Sequence, residues 1–279
     1  MALEYFYITN NQSVALACER AGVDRIFVDM EYIGKDKRQK GLDTVKNHHT
    51  VQDVKNIMAV IKKSKLMVRV NPIHSGSVNE INSVIAAGAD FIMLPMWKTV
   101  EDVKQFLDIV DGRAKTMLLL ETEEARLCLD DVLKLSVPNS TGEMVPFSSF
   151  TKVEEQLGQH KKFMFELYTD GTVDEIVSKL KKARIKFGIG GVGKVNSNNL
   201  LPAENILCEH YRLGSSMAIL ARAFCDWEKY DIDEFEKIIT DGIAENRVFE
   251  KEIENKNSSY FDEMHKQTAN IIDKIKVNI

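Results

Sequence analysis

Cysteine and proline are scarce in this chain. Its 279 residues include five prolines and four cysteines. The thiols lie far apart and form no CxxC pair, so they predict reduced side chains and neither a disulfide framework nor a zinc site. A single catalytic cysteine remains an open alternative. The four positions are Cys18, Cys128, Cys208 and Cys225.

Excess basic charge and long apolar runs are also absent from the sequence. Lys and Arg number 37 against 42 Asp and Glu, which gives a net charge of −5, and no basic patch is interleaved with aromatic residues. No apolar run reaches membrane-spanning length. The first residues, MALEYFYITN, lack the positive and apolar regions of a signal peptide. We therefore expect a cytoplasmic protein whose partners include neither nucleic acid nor a membrane.

What the sequence does contain is an alternation of apolar runs and helical stretches. LEYFYITN, VDRIFVDM, KLMVRVNP, ADFIMLPM and AKTMLLLE are nearly continuous apolar runs, which is typical of parallel strands covered on both faces. The stretches between them have helical periodicity. In one of these stretches the apolar face consists of Val51, Val54, Ile57, Met58 and Ile61.

An internal repeat supports the same interpretation. AGVDRIFVDM and AGADFIMLPM share the pattern A-G-x-D-x-I-x-x-x-M, and Gly22 and Gly88 lie about two βα units of roughly 30 residues apart. We count about eight strand positions, and ITNNQS stands where a doubly wound sheet usually has a glycine-rich fingerprint. The sequence therefore predicts an α/β fold, a TIM (β/α)8 barrel over residues 1–230. Within it, Ser77 and Glu80 have the spacing of a capping box at the start of a helix.

Residues 231–279 are predicted to form a charged, helical C-terminal extension. Its apolar stripe favours packing against the core, and a subunit contact in a homo-oligomer is the alternative. The stripe consists of Phe261, Met264, Ile271, Ile272 and Ile275.

The sixth strand position, residues 137–158, is the atypical part of the predicted barrel. EMVPF, from Glu143 to Phe147, is the only nearby run apolar enough to form a strand. Pro146 removes one donor from the hydrogen-bond ladder. We therefore expect a distorted or looped sixth position with few ladder bonds.

Charged residues cluster where the predicted strands end. Asp29 and Glu31 end the second strand, Arg69 lies at the end of the third, and Glu121 ends the fifth. In a barrel these ends meet at one mouth. Carboxylate oxygens suit Mg²⁺ or Mn²⁺, and an arginine can bind a substrate carboxylate through two hydrogen bonds. A structural ion pair between Asp29 and Arg69 is the alternative.

Two further signals each have two interpretations. His48 and His49 could act as acid–base groups, but adjacent residues rarely point at one target, which favours an exposed loop. The segment GIGGVGK, which ends at Lys194, could bind a phosphate through backbone N–H groups. Its glycines could also simply permit a tight barrel turn, and its spacing is not that of a Walker motif.

Several motifs, taken in order, resemble the HpcH/HpaI aldolase and citrate lyase family. They are AGVDRIFVDMEY, KLMVRVNP, AGADFIMLPM, LLLETEEA and EHYRLGSSMAIL, and they span most of residues 3–225. The resemblance implies a TIM barrel, usually a homo-oligomer, that uses Mg²⁺ or a similar ion such as Mn²⁺. It also implies cleavage or formation of carbon–carbon bonds next to a 2-oxo acid, such as pyruvate or oxaloacetate, or next to an acyl thioester.

The resemblance assigns roles to the residues at the strand ends. Arg69 would hold the carboxylate or enolate oxygen of the substrate, with Pro95 and Thr122 as further substrate contacts. Glu121 would be the first metal ligand. The catalytic acids that organise metal-bound water would be Asp29 and Glu31.

The sequence also departs from the family pattern. Tyr32 occupies the place of the family's acid–base histidine, and Leu119 occupies the place of a glutamine. Nothing in residues 136–158 matches the G-x-x-D-L motif whose aspartate is the second metal ligand, and Glu143 lies on the wrong side of the apolar run to replace it. We therefore expect a metal-dependent carbon–carbon lyase with weakened metal binding. The alternative is an impaired or non-catalytic barrel that binds a small carboxylic acid or acts through assembly.

Overall fold

The computed structural model describes residues 2–34, 49–135, 143–146, 166–192, 202–220 and 227–277. Within these ranges, strands alternate with helices. The strands are β1 (Glu4–Ile8), β2 (Arg25–Asp29), β3 (Lys65–Arg69), β4 (Phe91–Leu94), β5 (Lys115–Leu120), β6 (Glu143–Pro146), β7 (Lys186–Val192) and β8 (Met217–Leu220). The helices are α1 (Gln12–Arg20), α2 (Val51–Met58), α3 (Ser77–Ala86), α4 (Val100–Val110), α5 (Glu123–Val132), α6 (Glu166–Thr169), α7 (Thr172–Lys182), α8 (Ala203–Leu213), α9 (Ile232–Ile253) and α10 (Ser258–Val277).

All eight strands pair in parallel and in chain order, from β1 to β8, and β8 pairs in turn with β1. The predicted α/β class with a TIM-like barrel is therefore confirmed. Eight of the apolar residues that alternation points toward the helices, in or directly after strands β2 to β5, were expected in the strand layer, and all eight are buried. They are Ile26, Val28, Val68, Val70, Ile92, Leu94, Leu118 and Leu120.

The side chains between them along the strands fill the inside of the barrel, because successive residues of a strand point to opposite faces. They form a separate apolar cluster that is rich in methionine and phenylalanine. The cluster consists of Phe6, Phe27, Met67, Phe91, Met93, Met117, Leu119 and Met217.

The internal repeat has a structural basis. Gly22 and Gly88 both have positive φ, +93° and +97°, a conformation that glycine adopts without steric cost. Asp24 and Asp90 then each accept, through Oδ2, a backbone N–H of the preceding strand at 2.7 and 2.9 Å. Each repeat therefore ends a helix and joins the start of the next strand to the strand beside it.

Most helices that follow a strand begin at a side chain that accepts the orphan N–H groups of the first turn. The predicted capping box between Ser77 and Glu80 is wrong, because α3 begins after Gly76 and has no side-chain cap. The helices α1, α2, α4, α5 and α9 have as their caps Asn11, Thr50, Thr99, Thr122 and Asp231.

The sixth position contains a strand. β6 pairs with β5 over four residues and with β7 over two, and Pro146 is its last residue, opposite Leu120. The strand contradicts a loop at these four residues, whereas its pairing with β7 over only two residues agrees with the other expected form, a distorted position with few ladder bonds. Glu143 pairs with Met117, so it lies at the opposite end of the barrel from Glu121, as predicted. The rest of the predicted position, residues 137–142 and 147–158, lies outside the described residues.

Gly188 accounts for part of the glycine-rich segment in β7. A Cβ atom placed on Gly188 would lie 2.7 Å from Cβ of Met217 in β8, so the close approach of the two strands requires glycine. This contact supports the interpretation that the glycine serves barrel packing. Lys194 lies outside the described residues.

The C-terminal extension forms the helices α9 and α10, which pack against α1 and α8 respectively. Asn205 of α8 donates a hydrogen bond of 3.0 Å to the hydroxyl of Thr268, and the imidazole of His265 lies 2.7 Å from the carboxylate of Glu209. Ile272 is 2% exposed and belongs to the main core. This burial favours core packing for the predicted apolar stripe. Within the described residues, no helix is both long enough and apolar enough to cross a membrane.

Candidate active site

Arg69 is the centre of a charged cluster at the mouth of the barrel. It ends β3 and is directly opposite Asp29, the last residue of β2. Nε of Arg69 donates to Oδ1 of Asp29 over 2.8 Å, and Nη2 donates to Oδ2 over 2.7 Å. This bidentate geometry is the strong form of an arginine–carboxylate pair. The ion pair considered from the sequence is therefore formed.

Glu31 joins the same cluster from the loop after β2. Its carboxylate lies 3.4 Å from Nε of Arg69, and its backbone N–H donates to Oδ1 of Asp29 over 3.2 Å. Both acids are almost fully buried, with exposures of 1% for Asp29 and 3% for Glu31. Two carboxylates therefore share one guanidinium in a largely dehydrated site.

Glu121 contributes a third negative charge. Burial lowers the pKa of Arg69, but the charges of Asp29, Glu31 and Glu121 outweigh burial and raise that pKa above its ordinary value. Arg69 therefore stays protonated at every physiological pH. The influence of Glu121 on Arg69 is consistent with the predicted convergence of strands two, three and five at one mouth.

The end of β5 is tied to the segment that follows β4. Glu121 is 1% exposed, and its Oε1 accepts the backbone N–H of Met96 over 2.9 Å. The hydroxyl of Thr122 donates to the carbonyl of Trp97 over 2.9 Å and accepts the N–H of Ala125 over 3.1 Å. The fold therefore already engages the hydroxyl of Thr122, which was predicted to contact the substrate. Pro95, the other predicted contact, is buried immediately before this tie.

His49 also reaches this cluster, which the sequence interpretation missed. The backbone N–H of Asp29 donates to Nδ1 of His49 over 3.0 Å. Because Nδ1 accepts this hydrogen bond, the proton of the neutral ring lies on Nε2. The preference for an exposed loop is therefore wrong for His49, which is half-buried, whereas His48 lies outside the described residues. Thr50 is the sequence signal that could have found this contact. Its capping box marks the start of α2, the helix that follows β2, and so places the preceding residue His49 at the mouth.

Tyr32 does not join the buried cluster, since it is 59% exposed. Within the described residues, no group of three or more His, Cys, Asp or Glu side chains is arranged to hold a metal ion. The donors still suit Mg²⁺, which keeps several waters and is bound through one or two carboxylates.

Comparison with known proteins gives a match to one family. The sequence model of the HpcH/HpaI aldolase/citrate lyase family matches residues 3–134, a segment that contains Asp29, Glu31, Arg69 and Glu121. The resemblance to this family is therefore confirmed over that segment. No curated protein matches the chain.

Solved structures share the fold at low sequence identity. A variant of the citrate synthase SbnG is 13% identical and aligns over 88% of this chain and 95% of its own, with a TM-score of 0.53. RipC from Yersinia pestis is 12% identical over 85% of this chain and 95% of its own, with a TM-score of 0.54. Tryptophan synthase from M. tuberculosis is 14% identical and aligns over 87% of this chain and 92% of its own, with a TM-score of 0.57. At such identities the likeness shows a common fold and no common activity.

Proposed function

We propose that this HpcH/HpaI-like barrel is a metal-dependent carbon–carbon lyase that acts on a 2-oxo acid or an acyl thioester through an enolate. The observation that carries the proposal is the cluster of Asp29, Glu31 and Glu121 around Arg69 at the strand ends. The sequence match to a family of aldolases and citrate lyases covers these four residues. In barrels of this kind the chemistry takes place at the mouth that the strand ends form.

The charges of the cluster support a divalent cation as the cofactor. Three buried carboxylates lie around one guanidinium, and buried carboxylates are costly unless cationic or hydrogen-bonding groups meet them. A divalent cation would be such a group, and Mg²⁺ or Mn²⁺ prefers carboxylate oxygens. Glu121 would bind the ion, and Asp29 and Glu31 would accept hydrogen bonds from water beside it. When bound, the ion would act as a Lewis acid that stabilises an enolate.

Arg69 is positioned to hold the substrate. Its Nε and Nη2 face Asp29 and Glu31, whereas its Nη1 group makes no hydrogen bond among the described residues. Nη1 would therefore donate to a carboxylate or enolate oxygen of the substrate. The acids behind Arg69 fix the plane of its guanidinium group, which reduces the loss of side-chain entropy on binding.

His49 would donate a hydrogen bond from Nε2 to a substrate oxygen at the mouth. Because Nδ1 accepts the backbone N–H of Asp29 and Nε2 carries the ring proton, neither nitrogen can take up the 4-hydroxyl proton in this tautomer, so we do not assign His49 as the base that aldol cleavage requires. The hydrogen bond from the backbone of Asp29 fixes the ring at the mouth. Tyr32, which occupies the family's acid–base place, is too exposed to act as that base without a change of the loop.

The test is metal-dependent turnover of oxaloacetate and of a 4-hydroxy-2-oxo acid after treatment with a chelator and re-addition of Mg²⁺. We expect Glu121→Ala to lower turnover at least about 100-fold, since even indirect partners of a metal site cost 10- to 100-fold. The matched control is Glu124→Ala, because Glu124 pairs with Lys98 at the same end of the barrel over 2.8 Å and has no proposed role. Turnover without metal, or equal turnover in wild type and Glu121→Ala, would contradict the proposal.

A second candidate is a barrel that binds a small carboxylic acid without turning it over. The observation in its favour is the absence of a three-residue metal cluster in the described part of the chain, together with a sequence that lacks the G-x-x-D-L motif. Calorimetry with oxalate, combined with the turnover assay, separates the two candidates. Binding of oxalate without turnover of oxaloacetate or of the 4-hydroxy-2-oxo acid, in the presence of Mg²⁺ or Mn²⁺, would favour the non-catalytic barrel.

We also propose that the protein acts in the cytoplasm as a homo-oligomer. Support comes from the thiols of Cys18, Cys128 and Cys208, which form no disulfide within the described part of the chain, and from the resemblance to a family that usually assembles. Light scattering after size-exclusion chromatography would give the subunit number.

A further inference from the structure

Asn71 anchors the loop that carries Glu31. It lies two residues after Arg69 and is 2% exposed. Its Oδ1 accepts the backbone N–H groups of both Tyr32 and Ile33, each over 2.9 Å. One amide oxygen therefore fixes the two residues that follow Glu31.

Glu80 and His74 hold the amide of Asn71 from behind. Nδ2 of Asn71 donates to Oε1 of Glu80 over 2.7 Å, and Nε2 of His74 lies 3.1 Å from Oε2 of Glu80. Nδ1 of His74 accepts the backbone N–H of Gly76 over 3.1 Å, so the ring proton lies on Nε2 and points at Glu80. Every hydrogen bond in this chain then has one direction, and the orientation of the Asn71 amide is fixed.

The start of α3 gives a second reason to see Glu80 as a specific partner. At its spacing from Ser77, Glu80 was expected to cap this helix. The helix instead begins after Gly76 without a side-chain cap, and Glu80 turns toward Asn71. The fold therefore lacks a stabilising side-chain cap at the helix where it makes this contact.

The backbone of Glu31 is thus held on both sides. Its own N–H donates to Oδ1 of Asp29 over 3.2 Å, and the next two N–H groups donate to Asn71. We infer that Asn71, supported by Glu80 and His74, is a positioning residue that keeps the carboxylate of Glu31 beside Arg69. The inference rests on the proposed function, since it assigns Asn71 a part in the same lyase site.

The first experiment follows hydrogen exchange of the amides of Tyr32 and Ile33 in wild type, Asn71→Ala and Glu80→Ala. We expect exchange to be about 10-fold faster or more in both variants, because each loses a link that protects these amides. The matched control is Asn79→Ala, an exposed neighbour of Glu80 on α3, which should exchange like wild type. Urea unfolding of each variant shows whether the fold is retained, and Glu80→Ala provides the test if Asn71→Ala does not fold. Unchanged exchange in the folded variants would overturn the inference.

The second experiment separates positioning from simple stabilisation. With oxaloacetate and Mg²⁺, we expect kcat to fall about 10- to 100-fold in Asn71→Ala while KM changes little, since residues that orient a site act on activity at this scale. Glu80→Gln keeps an oxygen that can accept from Asn71 and should recover most of the kcat lost in Glu80→Ala. Faster exchange with unchanged kcat would overturn the positioning role and leave the proposed function intact. A wild type without turnover would overturn the proposed function and with it the positioning role in catalysis, while the exchange data would still decide whether Asn71 anchors the loop.

Discussion

Two arginines lie at opposite ends of the same barrel and have opposite surroundings. Arg25 begins β2, whereas Arg69 ends β3. The guanidinium of Arg25 lies between the rings of Phe6 and Phe91, 4.6 and 3.9 Å from their centroids, and it donates to the carboxylate of Glu4. The side chains of both arginines are largely buried, with exposures of 3% and 12%.

The number and burial of the carboxylates distinguish the two ends. At the bottom, Arg25 pairs with the carboxylate of Glu4, which is 34% exposed, and interacts with that of Asp24, which is 42% exposed. The aromatic faces replace water around the cation. At the mouth, Arg69 meets Asp29, Glu31 and Glu121, none more than 3% exposed. An ion pair whose guanidinium stacks between aromatic rings is sufficient to pack the bottom of the barrel. A concentration of buried carboxylates around one arginine has no structural benefit by itself, and this is why we interpret the mouth as a site for a cation and an acid substrate.

The largest expected effect comes from removing the cation at each end. Arg69→Met leaves Asp29 and Glu31 buried without their arginine, so we expect the free energy of unfolding to fall by about 3–5 kcal/mol at pH 7. Arg25→Met should cost less, about 2 kcal/mol, because Glu4 can turn to water and stacking is the main loss. Urea unfolding of both variants measures the difference.

The pH dependence of these two variants sharpens the contrast. Protonation neutralises a buried carboxylate that has lost its cation, so the folded state of Arg69→Met gains protons in acid and its loss of unfolding free energy shrinks as the pH falls. The loss of unfolding free energy in Arg25→Met, relative to wild type, should stay nearly constant between pH 7 and pH 5. Equal deficits with equal pH slopes would show that the two ends do not differ as proposed.

The sequence predicted the barrel and four charged residues of the mouth for one physical reason. Parallel strands bring their carboxyl ends together, so Asp29, Glu31, Arg69 and Glu121 could be grouped without any knowledge of loops. The same reasoning could not find His49, because its contact with Asp29 depends on the path of a long loop. It also misread Glu80, since Ser77 and Glu80 have the spacing of a capping box although the helix begins one residue earlier than that box requires, directly after Gly76.

Acid should weaken the bottom of the barrel through His210. This residue contacts Ser215, just before β8, with Nδ1 2.9 Å from the hydroxyl. Burial lowers the pKa of His210 to about 3, below the ordinary value near 6.5. The unfolded state therefore binds the extra proton first, so the stability from this group is complete above pH 6.5 and is lost as the pH falls toward 3.

This linkage predicts a loss of about 2 kcal/mol between pH 7 and pH 5. In His210→Asn, whose amide can still donate to Ser215, the unfolding free energy should change correspondingly less over the same interval, whatever its value at pH 7. Urea titrations at pH 7, 6 and 5 give the slopes of both proteins. Parallel slopes would show that His210 is not buried in its neutral form. Because Arg69→Met is expected to recover stability in acid, the two variants would change the pH profile in the same direction from opposite ends of the barrel.

The smallest expected effect tests whether Arg25 alone holds Glu4. Nζ of Lys186 lies 3.9 Å from the carboxylate of Glu4, and the lysine side chain is 65% exposed. An exposed pair at this distance contributes little, so Lys186→Ala should change the unfolding free energy by less than about 0.5 kcal/mol, and salt should reduce even that. Lys134→Ala is the matched control, since Lys134 forms an exposed pair with Asp131 over 2.8 Å far from Arg25. If Lys186→Ala instead cost more than about 1 kcal/mol and the control did not, Glu4 would need two cations. The bottom of the barrel would then be a charge network like the mouth, and the number of charges would no longer distinguish the two ends.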